Sequence, residues 1–202
     1  MSDPYADPTT GVLYNRLGLT TAEALDQAER LFVASRARDF VPKGEFDLDH
    51  LRSIHRHLFQ DVYDWAGELR TVEIEKGDSV FMPASLIRRG MDDIHWRLVD
   101  ADHLRGLQPD AFAAAAADLL ADINHLHPFR EGNGRVQLQF FGQLAEGAGH
   151  AVDLTRLDRA TWLDASIASH TRDLTPMTEA LRDTVIGPAP ERELGRDRGI
   201  DL

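Results

Sequence analysis

Cysteine is missing altogether from this 202-residue chain. Its absence excludes disulfides, thiolate nucleophiles and zinc–thiolate sites. No apolar run approaches the roughly 20 residues of a bilayer-spanning helix. The opening residues Met1-Ser2-Asp3-Pro4-Tyr5 lack both the basic and the apolar stretch of an export signal. The expected compartment is therefore the cytoplasm, with no membrane partner. Positive charge is also scarce: 22 Lys and Arg stand against 34 Asp and Glu, a net charge of −12. A broad nucleic-acid-binding face would want clustered basic residues, so none is expected. A nucleotide pocket is not excluded, because one or two Arg residues and a few backbone N–H groups suffice for it.

What remains is ordinary globular material, 43% hydrophobic and 28% charged, in a length that suits one core. Pro4, Pro8 and Gly11 make residues 1–19 an extended arm, which Val12, Leu13 and Leu17 can pin to the core. Thr20 or Thr21 with Glu23 opens a helix whose expected face is Ala24, Ala28, Leu31 and Phe32. A second helix is predicted over 47–61, burying Leu48, Leu51, Ile54, Leu58 and Phe59. Thr71–Glu75 and Asp78–Met82 are β-leaning runs around Lys76-Gly77, so a β-hairpin is expected over about 70–82. Pro83 opens a helix through Leu86, Ile87, Met91, Ile94 and Leu98. Asp110 is the expected N-cap of a helix carrying Phe112, Ala116, Leu119, Leu120 and Ile123, which Pro128 ends. Another starts near Gly134 with Phe141, Leu144, Ala145 and Ala148, and helical patterns follow near 158–169 and 175–186. Residues 187–202 have the composition of a disordered tail. The predicted fold class is mainly α: a single-domain helical bundle with one hairpin.

The chemistry concentrates in His127-Pro128-Phe129-Arg130-Glu131-Gly132-Asn133-Gly134-Arg135. Gly132 and Gly134 permit positive φ and close backbone approach, so successive N–H groups can converge on an anion at a helix start. Arg135 can fork onto phosphate oxygens, and Asn133 can donate an amide hydrogen bond to them. Glu131 is a hard carboxylate suited to Mg²⁺ that also bridges phosphates. His127 can face the same cavity as a general base. Singly, each has a plainer reading: a helix-end histidine, a turn, an i,i+4 ion pair worth about 0.3–0.5 kcal/mol. Phe129 reads as core. Nine such positions in a row are far more specific than any one of them.

The segment resembles the Fic (filamentation induced by cAMP) domain family, whose pattern is His-X-Phe-X-(Asp/Glu)-Gly-Asn-Gly-Arg-X-X-Arg. Residues 127–135 match every fixed position. The 70–82 hairpin lies where the family has its flap, which aligns a target protein by strand addition. Gly11–Gly18 resembles the N-terminal arm of bacterial Fic toxins and effector Fic domains, and Trp65-Ala66-Gly67-Glu68-Leu69-Arg70 the run before their flap. The likeness extends over about residues 10–186. It implies a Fic fold and transfer of AMP from ATP onto a hydroxyl of a target protein. In that reading His127 removes the hydroxyl proton and Glu131 holds Mg²⁺. Gly132, Asn133 and Gly134 form the anion hole, Arg135 contacts the β- and γ-phosphates, and Phe81 or Met82 holds the target side chain. DNA gyrase and topoisomerase IV subunits are the target candidates by analogy.

One fixed position departs: Leu138 stands where the pattern has its last Arg. A buried phosphate contact is thereby lost, at an expected cost of about 1.5–3 kcal/mol. An attenuated enzyme, a variant whose substitute donor is Gln137, Gln139 or Arg130, and a change of phosphate donor all stay open. The inhibitory pattern (Ser/Thr)-X-X-X-Glu-(Gly/Asn) is missing as well; Thr71–Glu75 and Thr175–Glu179 have its spacing but end in Lys76 and Ala180. The resemblance therefore implies regulation by a small antitoxin that supplies an inhibitory Glu helix in trans. Two other readings compete. One is a Fic-fold binding or regulatory protein, motivated by Leu138. The other is a metal hydrolase using His125, His127, Asp122 and His95 or His103, which suffers because His-X-His on a helix splays its rings about 200° apart.

Overall fold

The computed structural model describes residues 3–77 and 79–189; the expected tail from residue 190 onward lies outside the described residues. Helix α1 spans Ala22–Arg36, and the Thr21 hydroxyl accepts the Ala24 N–H at its start. The face it buries is not the expected one. Leu25, Glu29 and Val33 turn inward, while Leu31 and Phe32 are exposed. The buried Glu29 is partnered by the buried Tyr63 and the partly exposed Arg135, so its carboxylate can turn inward satisfied while Leu31 and Phe32 stay outside.

Helix α2, Leu48–Phe59, is capped by Asp47 and buries Leu51, Ile54, Leu58 and Phe59 completely. The hairpin that follows is much shorter than expected: β1 is Glu75–Lys76 and β2 Ser79–Val80, paired antiparallel. Its flanks are taken up by Arg70, whose side chain is fully buried. Its Nε donates to the His127 carbonyl at 2.8 Å, one terminal nitrogen to Val72 at 2.7 Å, and the other to Leu126 at 3.2 Å and to Met82. The Val72 and Met82 carbonyls, which a longer hairpin could have paired strand to strand, are here bonded to one guanidinium together with the last carbonyls of the helix that ends at Leu126.

A 3₁₀ turn, Ala84–Leu86, leads into α3, Ile87–Asp100. Helix α4, Pro109–Leu126, starts from Gln108 rather than Asp110, with Pro109 in the first turn where a missing N–H costs nothing. Its Ala113, Ala116 and Ala117 are fully buried, and α3, α5, α6 and α7 pack around it. Helix α5, Asn133–Ala148, ends at Gly149 in a left-handed conformation. Helices α6, Arg159–Ser169, and α7, Thr175–Thr184, complete the bundle. The helical pattern expected to run to 186 stops at Thr184, because Val185–Pro188 forms β4 against β3, His150–Val152; Gly187 and Pro188, expected in the disordered tail of 187–202, are thus paired strand residues. In the arm, Val12 is buried, but Leu17 is exposed and Leu19 packs in its stead. The Asn15 amide closes that turn, donating to the Leu13 and Leu19 carbonyls and accepting the Leu19 N–H. The mainly α class with one hairpin is what the structure has.

Candidate active site

Helix α4 delivers His127 as its C-cap, at φ 43° and ψ 62°. The following Pro128 disfavours a right-handed helical conformation at residue 127, which helps hold this left-handed one. The His127 Nδ1 lies 3.3 Å from the Asn124 carbonyl. A carbonyl can only accept, so the proton sits on Nδ1 and Nε2 keeps its lone pair. That Nε2 is buried with no partner among the described residues. Burial, reinforced by the charge of Lys76, pushes the imidazole down to about 3, so it is neutral through the physiological range.

Phe81 lies over this ring, centroids 3.8 Å apart, and meets His170 edge-on at 5.0 Å. It is buried, whereas the neighbouring Met82 is half-buried. Met82 N–H bonds the His125 carbonyl and Arg70 N–H the Pro128 carbonyl, each at 2.9 Å, so both roots of the hairpin are tied to the end of α4.

Beyond Pro128 the chain turns under its own side chains. Asn133 accepts the Phe129 N–H at 3.0 Å and donates to the Phe129 carbonyl at 2.8 Å. Both ends of its amide are spent on the loop, so what Asn133 offers an anion is its backbone N–H, not the side chain foreseen from sequence. Gly132 adopts φ 84°, and a Cβ there would overlap the Phe59 ring. At Gly134 a Cβ would lie 3.2 Å from Trp162 Nε1. The N–H groups of Asn133, Gly134 and Arg135 thus open α5, where no intrahelical carbonyl is available to them.

Glu131 is about one-third exposed and accepts the Gly132 N–H at 2.8 Å. Lys76 at the hairpin tip stands 4.0 Å from its other oxygen. A single accessible carboxylate beside an anion nest fits Mg²⁺, which keeps most of its shell from phosphates and water. Arg135 stacks over Phe59 at 4.7 Å, pairs with Glu29 and lies 3.6 Å from Glu131. Arg130 turns away from this group and forks onto Asp3 of the arm at 2.6 and 2.9 Å. Leu138 packs half-buried against the core, and the neighbouring Gln137 amide is buried with neither end partnered among the described residues.

The hydrolase constellation does not assemble. His127 is buried and His125 exposed, and among the described residues no three His, Asp or Glu side chains could hold a metal ion together. Three contributors went unseen in the sequence: Glu29, Arg70 and His55, the last of which bonds the Glu131 carbonyl. Arg70 stood inside the quoted pre-flap run, but nothing in its spacing marked it as buried. His55 and Glu29 carry no local signal.

An unprotonated imidazole nitrogen, the N–H groups of a helix start and a carboxylate beside them are the kinds of group that phosphate transfer uses, here set on an α-helical scaffold. The sequence matches the Fic/DOC family over residues 45–145, and the chain belongs to that family. It is 42% identical to a probable protein adenylyltransferase, y4lH, of Sinorhizobium fredii, over 90% of this chain and 95% of that protein. It is 38% identical to protein adenylyltransferase VbhT of Bartonella schoenbuchensis, over 99% of this chain but only 42% of VbhT. Among solved structures, the N-terminal Fic domain of a Bartonella quintana effector with bound ADP superposes with a TM-score of 0.82 at 29% identity, covering 91% of this chain and 94% of that one.

Proposed function

We propose that this chain is a protein adenylyltransferase that moves AMP from ATP onto a hydroxyl side chain of another protein. The observation that carries the reading is His127, whose tautomer leaves a buried, unprotonated and unpartnered Nε2 six residues before the helix start at Asn133. The target hydroxyl gives its proton to that Nε2 as its oxygen bonds the α-phosphorus. The bond from the α-phosphorus to the bridging oxygen breaks, and pyrophosphate leaves. The backbone N–H groups of Gly132, Asn133 and Gly134 and the Arg135 guanidinium hold the phosphates, so catalysis is positioning and charge stabilisation. Gly132 and Arg135 must first exchange their carboxylate partners for phosphate oxygens. Glu131 would hold Mg²⁺, which when bound neutralises charge on the α- and β-phosphates. Phe81 has to leave the His127 ring for the hydroxyl to approach, and Met82 stands next to it to hold the target side chain.

Residues 20–186 form the catalytic domain in this reading and residues 1–19 an arm. The family resemblance extends it to a cytoplasmic toxin, held by a small antitoxin and directed at a protein such as a DNA gyrase or topoisomerase IV subunit. Leu138 favours a second reading, a Fic-fold protein that binds but turns over weakly, since an apolar side chain stands at the pattern's last Arg.

Labelled ATP, Mg²⁺ and a cell lysate test both. The chain, Leu138→Arg and His127→Ala are incubated side by side. Label on a protein band with Leu138→Arg, lost with His127→Ala in the same background, supports transfer. No label from any variant, with ATP bound normally, would favour the binding protein.

A further inference from the structure

We propose that His55 is a positioning residue for the Fic loop, holding the Glu131–Gly132 peptide so that the Gly132 N–H faces the phosphate side. The inference rests on the nucleotide-binding role of that loop. His55 is fully buried in α2, and its ring is clamped between Phe59 at 4.7 Å and Phe129 at 4.0 Å. Its Nδ1 accepts the Gly67 N–H at 2.8 Å, which leaves the ring proton on Nε2. Nε2 lies 3.1 Å from the Glu131 carbonyl and donates to it. One tautomer satisfies both contacts, and no ring nitrogen is left over.

The consequence follows from peptide geometry. The carbonyl of Glu131 and the N–H of Gly132 belong to one planar trans unit and point in opposite directions. Drawing the carbonyl inward onto His55 aims the N–H outward, where it now meets the Glu131 carboxylate at 2.8 Å. The Phe59 ring, one helical turn further along α2, fills the space under Gly132 that a Cβ would need. Helix α2 is therefore the bed of the loop, and through Gly67 the same imidazole joins that loop to the segment leading into the flap.

Two substitutions separate the two bonds. His55→Asn keeps an acceptor at the reach of Nδ1 for Gly67 and loses the donor to Glu131. His55→Gln places an amide N–H at the reach of Nε2 and restores that donor. The expected result is a shifted Gly132 amide resonance and about five- to tenfold weaker Mg²⁺–ADP binding in His55→Asn, with most of both recovered in His55→Gln. Imidazole ¹⁵N shifts of the parent chain should show the proton on Nε2. A proton on Nδ1, an unshifted Gly132 resonance in His55→Asn, or equal losses in the two variants would each overturn the proposal. Absence of ADP binding by the parent would instead count against the functional reading, while the Gly132 and imidazole resonances still report on His55.

Discussion

Glu29 and Arg135 form an ion pair across 106 positions of sequence, with the Glu29 carboxylate buried and also accepting the Tyr63 hydroxyl. Helix α1 thereby places a negative charge on the guanidinium that the proposed reaction needs for phosphate. Two consequences of opposite sign follow from removing that charge. Glu29→Gln should lower stability by about 1–2 kcal/mol, discounted because Arg135 is one-third exposed, or a few degrees in Tm. It should also tighten ATP binding severalfold, since the phosphates no longer compete with a carboxylate for the same donors. Thermal melts and calorimetric titration read the two effects separately; weaker ATP binding in the variant would show that Glu29 orients Arg135 rather than competing for it.

Gly132→Ala meets two penalties at once. The left-handed backbone costs a residue with a Cβ about 1–2 kcal/mol, and the added methyl has to displace the Phe59 ring. The ring is itself stacked on His55 and covered by Arg135, so it has no free space to retreat into. Expected is a loss of about 2–4 kcal/mol in denaturant unfolding together with loss of nucleotide binding.

Arg70→Met removes the donor shared by the carbonyls of Val72, Met82, Leu126 and His127. Methionine fills the volume but bonds none of them, and each buried carbonyl left without a partner is costly. We expect about 3 kcal/mol of destabilisation and faster amide exchange at Met82, whose N–H anchors the hairpin to His125. Exchange at Met82 unchanged from the parent would mean that the backbone bonds alone hold the flap root.

His127 links stability to acid. Its folded-state value of about 3 lies below the ordinary 6.5, chiefly through burial, so the unfolded chain takes up a proton there before the folded one does. The neutral ring's full contribution is present above pH 6.5 and is lost as pH falls from there toward 3. His127→Gln should flatten the decline across that window by at most about 1.4 kcal/mol per pH unit. His55, lowered to about 3 for the same reason, keeps part of the slope in place. Urea midpoints measured from pH 7 to 4 give the comparison, and identical slopes would rule out this coupling.

The helices were legible because burial imposes a 3.6-residue period on Leu51, Ile54 and Leu58 or on Phe112, Ala116 and Ile123, and such a period survives without coordinates. The hairpin was visible as an element and misjudged in length. Thr71–Ile74 has strand composition, but the buried Arg70 takes the Val72 and Met82 carbonyls, and a single guanidinium has no periodicity. The face of α1 was misread for a similar reason: a carboxylate on an inward position looks like solvent-facing polarity until its partners are known.

The set of candidate groups is readable from the sequence alone. Nine contiguous residues, His127 to Arg135, carry a base, a carboxylate and a Gly-bracketed helix start, and local covalent order suffices to bring such a set together. The tertiary structure decided how those groups are held and who competes for them: His55 beneath Glu131, Glu29 on Arg135, Asp3 on Arg130, Phe81 over His127. These partners lie from 46 to 127 positions away in the chain, and only the packing of α1, α2, the arm and the flap around α4 and α5 brings them within bonding distance.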